Sequence, residues 1–192
     1  PNDGSVISVL ALGQVVSTVL DPASTGIKPD GFKWIGAVTE EPGICMVRSD
    51  SVVKTIDDFR TKSFKLAATS KTANAYTEAE LLKNVLGAKY DIVTGFLGAS
   101  EMNLAVTRGE IDGACGISMY SFLQSDFARD KRIIGYLGPT PKPQFTHQAP
   151  PPAFADLLTN DLDRAALKIV TSVKFAVYPV GMPPSTPDNI VE

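Results

Sequence analysis

Residues 64–118 decide the fold class, and they read FKLAATSKTANAYTEAELLKNVLGAKYDIVTGFLGASEMNLAVTRGEIDGACGIS. Three short runs in this stretch, at 64–68, 90–94 and 111–117, are rich in apolar residues, and each is followed by a polar or glycine-rich turn. The segments between these runs repeat their apolar residues every three or four positions, which is the period of a helix. Strands that alternate with helices predict an α/β fold with a mainly parallel sheet.

The helices expected in this stretch end at glycines, which adopt the left-handed conformation that closes many helices. The first stops before Gly87, and the second runs from about residue 100 to Arg108 and stops before Gly109. A further helix is expected at 120–127 and a fourth strand at 132–137. The repeating unit therefore extends to the end of this region.

The two ends of the chain show a different pattern. A strand is predicted at 31–38, a helix at 161–170 with Leu162, Ala166 and Ile169 on one stripe, and another strand at 175–180. We therefore expect two lobes joined by hinge segments, in an architecture truncated at both ends. Their expected bounds are 1–45 with 138–192 for a partial, discontinuous lobe 1, and 46–137 for lobe 2.

Composition excludes several classes of function. The 192 residues carry 18 Lys and Arg against 21 Asp and Glu, so the net charge of −3 offers no basic surface for nucleic acid. No segment has the roughly 18 unbroken apolar residues that a membrane helix needs, so no membrane insertion is expected. One His and two Cys exclude most zinc sites, and neither a metal nor a cofactor is expected.

The two cysteines and the single histidine leave alternatives open. Cys45 and Cys115 could pair only if the fold brings their Cα atoms within about 7 Å, and two isolated cysteines are more often buried apolar residues. His147 is interpreted as a solvated loop residue, which argues against hydrolytic catalysis. We therefore expect no enzyme activity, and cysteine content does not settle the compartment.

Three polar turns follow the predicted strands at residues 69–74, 95–100 and 116–120. The carboxyl ends of parallel strands meet at one sheet edge, where ligands bind in open α/β folds. A helix that starts there offers unpaired N–H groups and a positive dipole end to an anion. The alternative is plain capping, by Thr72 or Asn74 with a capping box of Thr77 and Glu80 further along at the first turn, and by Ser100 at the second. Together the three turns raise the possibility of an anion-binding cleft.

The sequence VTGFLGASEMNLA at 93–105, continuing into RGEIDG at 108–113, resembles the Bug-type substrate-binding proteins of tripartite tricarboxylate transporters. Further similarity lies at 29–36, 80–87 and 179–187. The resemblance implies a type II periplasmic-binding-protein fold, a periplasmic location, and closure on a small organic carboxylate that is passed to a membrane permease.

The resemblance also implies which residues hold the ligand. Backbone amides and small hydroxyl side chains hold it in that family, and the matching positions here form two walls and one nearby residue. The first wall is Thr69, Ser70, Thr72, Ala73 and Asn74; the second is Gly95, Phe96, Gly98 and Ala99; Ser118 lies nearby.

Two alternatives from other classes remain at this point. One is the effector-binding domain of a transcription regulator, which uses a similar two-lobe scaffold. The other is an enzyme that processes a carboxylate, which the lone His147 makes less favourable.

Overall fold

The structure is a computed structural model, and it describes residues 3–10, 28–139 and 149–191. In chain order the described strands are Ser8–Val9 (β1), Lys33–Thr39 (β2), Gly43–Arg48 (β3), Lys65–Ala68 (β4), Asp91–Thr94 (β5), Gly113–Ser118 (β6), Lys131–Leu137 (β7) and Val177–Met182 (β8). The described α-helices are Ile56–Thr61 (α1), Asn74–Leu86 (α2), Ala99–Arg108 (α3), Met119–Leu123 (α4), Asp161–Thr171 (α5) and Asp188–Val191 (α6). The α/β class expected from the sequence is confirmed.

The chain divides into two compact units, Pro42–Thr171 and a second one formed by Pro1–Glu41 with Ser172–Glu192. A discontinuous unit made from both chain ends is thus present. The lobe bounds expected from the sequence, at residues 45 and 138, refer to the lobes of a receptor and stay a prediction.

The larger unit is built on a five-stranded sheet in the order β5-β4-β6-β3-β7. Strand β4 pairs in parallel with β5 and β6, whereas β3 pairs antiparallel with β6 and β7. Four strands therefore run in one direction, and β3 alone is reversed because it carries the chain into this unit from the edge where the others end. The sheet is mixed through this one strand and otherwise parallel, as predicted.

Two apolar cores cover the two faces of this sheet. Alternating residues of β3 belong to different cores, Cys45 and Val47 to one and Ile44 and Met46 to the other. Side chains alternate across a strand, so both faces of β3 are buried, which explains its continuous apolar run. The first core holds the packed rings of Phe59, Phe64, Tyr90 and Phe154, while α3 covers the second with Met102 and Val106.

Buried Tyr90 illustrates how the first core satisfies a polar group. Its hydroxyl donates a hydrogen bond of 2.7 Å to the carbonyl oxygen of Ala79 in α2. Burial raises the pKa of the Tyr90 phenol well above its ordinary value. The neutral phenol therefore ties α2 to the strand that follows it.

The apolar stripe predicted on α5 is wrong in its orientation. Leu162 and Ile169 are 75% and 60% exposed, whereas Leu167 and Thr171 are buried. Helix α5 packs against α2 in the larger unit, and the two buried residues lie four positions apart on its inner side. The spacing of Leu162, Ala166 and Ile169 alone therefore did not identify the buried face of this helix.

The smaller unit contains a three-stranded antiparallel sheet in the order β1-β8-β2. The backbone N–H of Glu41 donates to the carbonyl oxygen of Lys174 at 2.8 Å, and Lys33 forms an ion pair with Asp188 of α6. Most residues of β2 are exposed. Among the described residues, no helix is long and apolar enough to cross a membrane.

Helix α1 begins with a complete capping box. The Thr55 hydroxyl accepts from the Asp58 N–H at 3.1 Å, and the Asp58 carboxylate accepts from the Thr55 N–H at 3.1 Å. The same carboxylate forms an ion pair with Lys62 at 2.8 Å, and this hydrogen bond is the main reason why the pKa of Asp58 falls to about 2. The Thr55 side chain thus satisfies the Asp58 N–H in the first turn of α1, and Asp58 satisfies the Thr55 N–H in return.

Candidate functional site

Three turns lie at one edge of the five-stranded sheet, where β4, β5 and β6 end. Because these strands are parallel, Thr69, Gly95 and Ser118 come at corresponding ends. The backbone N–H of Gly95 donates to the carbonyl oxygen of Thr69 at 3.1 Å, so the first two turns are joined directly. The convergence expected from the sequence is present within this unit.

The first turn exposes its hydroxyl groups to solvent. The Ser70 and Thr72 hydroxyl oxygens lie 3.1 Å apart, and both residues are exposed, as are Lys71 and Asn74. The Ala73 N–H donates to the Ser70 carbonyl oxygen at 3.2 Å, which closes the turn just before α2. The turn is held by its backbone while its side chains stay accessible.

Helix α2 starts without a side-chain cap. Its N-cap residue is Ala73, at φ −74° and ψ 148°, and it has no side-chain oxygen to accept from the first turn. Capping by Thr72 or Asn74, and a capping box further along at Thr77, are therefore wrong. The Thr77 hydroxyl donates to the Ala73 carbonyl oxygen at 3.2 Å instead. The positive end of α2 carries no acidic residue in its first turn, and its N-cap residue offers no side-chain oxygen to the helix donors.

Helix α3 also starts without a side-chain cap at its N-cap residue. That residue is Gly98, and Ser100, which was expected to cap the helix, lies inside it. Gly95 has φ +115°, a conformation that a residue with a side chain rarely adopts, so glycine is required here. The Glu101 carboxylate accepts from the N–H of Leu97, which anchors the turn beside the helix start. Leu97 itself is 95% exposed.

The remaining residues of the second wall differ in exposure. Phe96 is half-buried and packs against the second core, whereas Ala99 is exposed in the first turn of α3. The second wall therefore combines an aromatic residue that packs against the core with an exposed residue at the start of α3.

Ser118 has an identified structural role at the third turn. Its hydroxyl accepts from the N–H of Ser121 at 3.1 Å and caps α4. Two residues before it, Gly116 has φ +70° at a bulge in the pairing of β3 with β6. A Cβ on Gly116 would lie 2.9 Å from the Cα of Ala75 in α2. The end of β6 thus sits directly against the first turn of α2, and only glycine allows this approach.

Buried Glu78 was not identified from the sequence. It is 1% exposed, and its Oε2 lies 3.2 Å from the place a Cβ on Gly116 would take. The signal was available, because Glu78 is three residues after Ala75 and four before Leu82 on the buried stripe of α2. A charged residue that falls at an apolar position of the helical repeat is easily assigned to the exposed face of the helix.

Of the two alternatives left open for Cys45 and Cys115, the less favoured one, a disulfide, is present. They form a disulfide, with their Cα atoms 4.0 Å apart. The reason is the reversed strand: β3 pairs with β6, which the sequence did not predict, and this places the two cysteines side by side.

The described residues supply no obvious metal centre. In the three described ranges, no group of three or more His, Cys, Asp and Glu side chains could hold a metal ion. His147 lies outside the described residues. The donors gathered at the sheet edge are hydroxyls and backbone amides, which suit an anion.

Comparison with known proteins identifies the fold. No protein-family profile matches the sequence, and no curated protein matches it either. A TctC solute-binding protein from Polaromonas matches with a TM-score of 0.69 at 16% identity, over 100% of this chain and 62% of its own. The chain has the fold of a periplasmic solute-binding protein.

Two further solved structures of this fold cover the whole chain. The periplasmic binding protein BugD matches with a TM-score of 0.61 at 17% identity, over 61% of its length. MatC from Rhodopseudomonas palustris, solved with bound malate, matches with the same TM-score and identity over 62% of its length. The chain therefore spans about three fifths of each of these solute-binding proteins, and the two-lobe class expected from the resemblance is supported by the TctC and Bug structures.

Proposed function

We propose that the protein is a periplasmic receptor that captures a small organic carboxylate for a transporter of the tripartite tricarboxylate type. The observation that carries this proposal is the pair of helix starts at Ala73 and Gly98, which lack side-chain caps and meet beside exposed hydroxyls at one sheet edge. An anion at such a place receives N–H donors and a favourable helix dipole.

The proposed ligand-binding residues follow from this geometry and from the resemblance. The Ser70 and Thr72 hydroxyls donate to a ligand carboxylate, and the first-turn N–H groups of α2 and α3 donate to its remaining lone pairs. The complete proposed set is Thr69, Ser70, Thr72, Ala73, Asn74, Gly95, Phe96, Gly98, Ala99 and Ser118. Ser118 contributes mainly by shaping the third turn, since its hydroxyl already caps α4.

A receptor fits these turns better than an enzyme does. The partner of the Ser70 hydroxyl is the hydroxyl of Thr72 at 3.1 Å, and a hydroxyl is too weak a base to activate a serine nucleophile. The turns offer hydroxyl and backbone N–H donors that can hold a negative charge. The bound malate of MatC supports a small carboxylate as the ligand class.

The periplasmic location is supported by the Cys45–Cys115 disulfide. Such bonds persist in oxidising compartments, among them the bacterial periplasm, and are rare in the cytosol. A periplasmic receptor of this fold would deliver its ligand to a membrane permease, which is the partner that the resemblance implies. An effector domain of a cytosolic transcription regulator fits the disulfide less well.

A thermal-shift screen of mono-, di- and tricarboxylates tests the proposal. A ligand at a hundred times its Kd stabilises the protein by about 2.7 kcal/mol, which is a readily measured shift in Tm. Ser70→Ala and Thr72→Ala should each weaken binding by roughly 0.5–3 kcal/mol. Ser63→Ala is the matched control, because Ser63 is exposed just before β4, at the opposite edge. Unchanged affinity in both test variants would remove the first turn from the site.

A further inference from the structure

The Cys45–Cys115 bond lies in the centre of the larger unit. Strand β3 carries Cys45 and lies between β6 and β7, while β6 carries Cys115 and lies between β4 and β3. Each of these strands therefore has a neighbouring strand on both sides. The bond joins two interior strands of the sheet through cysteines that are 70 residues apart in sequence.

Both sulfur-bearing residues are fully buried. Cys45 and Cys115 are each 0% exposed, and they belong to the same apolar core as Ile134, Leu137 and Phe154. An apolar environment raises the pKa of a thiol and so lowers the fraction of reactive thiolate. The folded protein therefore gives an external thiol or disulfide no access to either sulfur.

Disulfide formation requires that access. A cysteine thiolate attacks one sulfur of an external disulfide, which forms a mixed disulfide and releases one thiol. The second cysteine thiolate then attacks the protein sulfur of that mixed disulfide and releases the second thiol. In total, two cysteine thiols lose two protons and two electrons, and one oxidant disulfide is reduced to two thiols.

We propose that the protein is a substrate of a disulfide-donating oxidant during folding, before β3 and β6 are covered, and that the bond becomes inert once the sheet is packed. The partner is a small or protein disulfide whose reactive sulfur reaches the open chain. This inference is independent of the ligand site. If the bond can form only during folding, the chain must fold in an oxidising compartment to reach the oxidised fold.

An order-of-addition experiment tests this timing. The protein is reduced and unfolded in urea, and refolding is then started with glutathione disulfide either present from the beginning or added after the circular dichroism signal is stable. The intramolecular bond is quantified by mass spectrometry after alkylation of the remaining thiols. We expect late addition to slow bond formation by at least about tenfold, because access then requires local unfolding. Equal rates in the two arms would overturn the proposal.

Reduction of the native protein provides a second measurement that does not depend on refolding. Dithiothreitol should open the bond at least about tenfold more slowly in the native protein than in the urea-unfolded protein. Similar reduction rates in the two states would show that the sulfurs are accessible after folding and would contradict the inference. The Cys45→Ala/Cys115→Ala double variant serves as the alkylation blank in both measurements.

Discussion

Helix α1 and helix α2 start in opposite ways, although both follow a turn in the same unit. Thr55 and Asp58 close the start of α1 with a reciprocal pair of hydrogen bonds. Ala73 starts α2 with no side-chain cap, and Gly98 does the same for α3. Helices α2 and α3 follow the carboxyl ends of the parallel strands β4 and β5, whereas α1 does not.

This difference distinguishes a helix start that is closed by its own side chains from a helix start that is a candidate for binding an anion. A side-chain cap is worth about 0.5–2 kcal/mol, and it occupies the donors that an anionic ligand would use. Without such a cap, α2 and α3 forgo that stabilisation, and no N-cap side chain occupies their donors. The contrast predicts that caps and ligands compete at α2 but not at α1.

The largest effect is expected from Gly116→Ala, which disturbs the support of the α2 start. A methyl group there would lie 2.9 Å from the Ala75 Cα, and φ +70° is unfavourable for alanine. We expect the free energy of unfolding to fall by about 1–3 kcal/mol, measured by urea denaturation. Ligand affinity should fall as well, because the first turn of α2 must shift.

Gly87→Ala is the matched control for Gly116→Ala. Gly87 also has a positive φ, +64°, but a Cβ there would meet nothing within 4 Å. The control should lose stability through backbone strain and keep its ligand affinity. Equal loss of affinity in the two variants would show that the effect follows from general destabilisation.

The second prediction is that Ala73→Ser gives α2 the cap it lacks. Ala73 already has the extended backbone of an N-cap residue, so the serine hydroxyl can accept from the first turn. We expect the free energy of unfolding to rise by about 0.5–1 kcal/mol and carboxylate affinity to fall roughly tenfold, as measured by calorimetry. A variant that gains stability and binds as before would break the proposed competition.

The third prediction is the mirror change, Thr55→Ala, which removes the cap of α1. The free energy of unfolding should fall by about 0.5–2 kcal/mol in urea denaturation. Carboxylate affinity of the folded protein should stay unchanged, because α1 does not begin at the edge that carries the three turns. A loss of affinity comparable to that of Ala73→Ser would contradict the assignment of the anion-binding donors to α2 rather than to α1.

Much of the larger unit could be predicted from sequence, because its helices and strands are encoded locally. The stripe of α2, the glycines after α2 and α3, and the strands β4 and β5 all lie close to the expected positions. The three turns were expected at one edge because parallel strands impose it. That they bind a ligand stays a prediction.

The features that sequence reasoning missed depend on contacts between distant segments. Reversal of β3 places Cys45 beside Cys115 across 70 residues, and no local pattern encodes that pairing. Hydroxyls at Thr72 and Ser100 suggested caps, but the N-cap residues of the two helices are Ala73 and Gly98. Tertiary packing sets where a helix starts, and a nearby serine or threonine is a capping residue only if it falls on that position.

The smallest predicted effect is the acid response of the α1 cap. The hydrogen bond from Lys62 holds the pKa of Asp58 at about 2, below its ordinary value of 3.8. A lowered pKa in the folded state stabilises the protein above the unfolded pKa, and this contribution is lost as the pH falls from about 3.8 to about 2. Asp58→Asn cannot titrate, so its free energy of unfolding should depend less steeply on pH in that window than that of the unmodified protein, as measured by urea denaturation at several pH values. Parallel pH profiles would show that the Asp58 carboxylate contributes no charge-dependent stability, and the cap of α1 would then act only through its neutral hydrogen bonds.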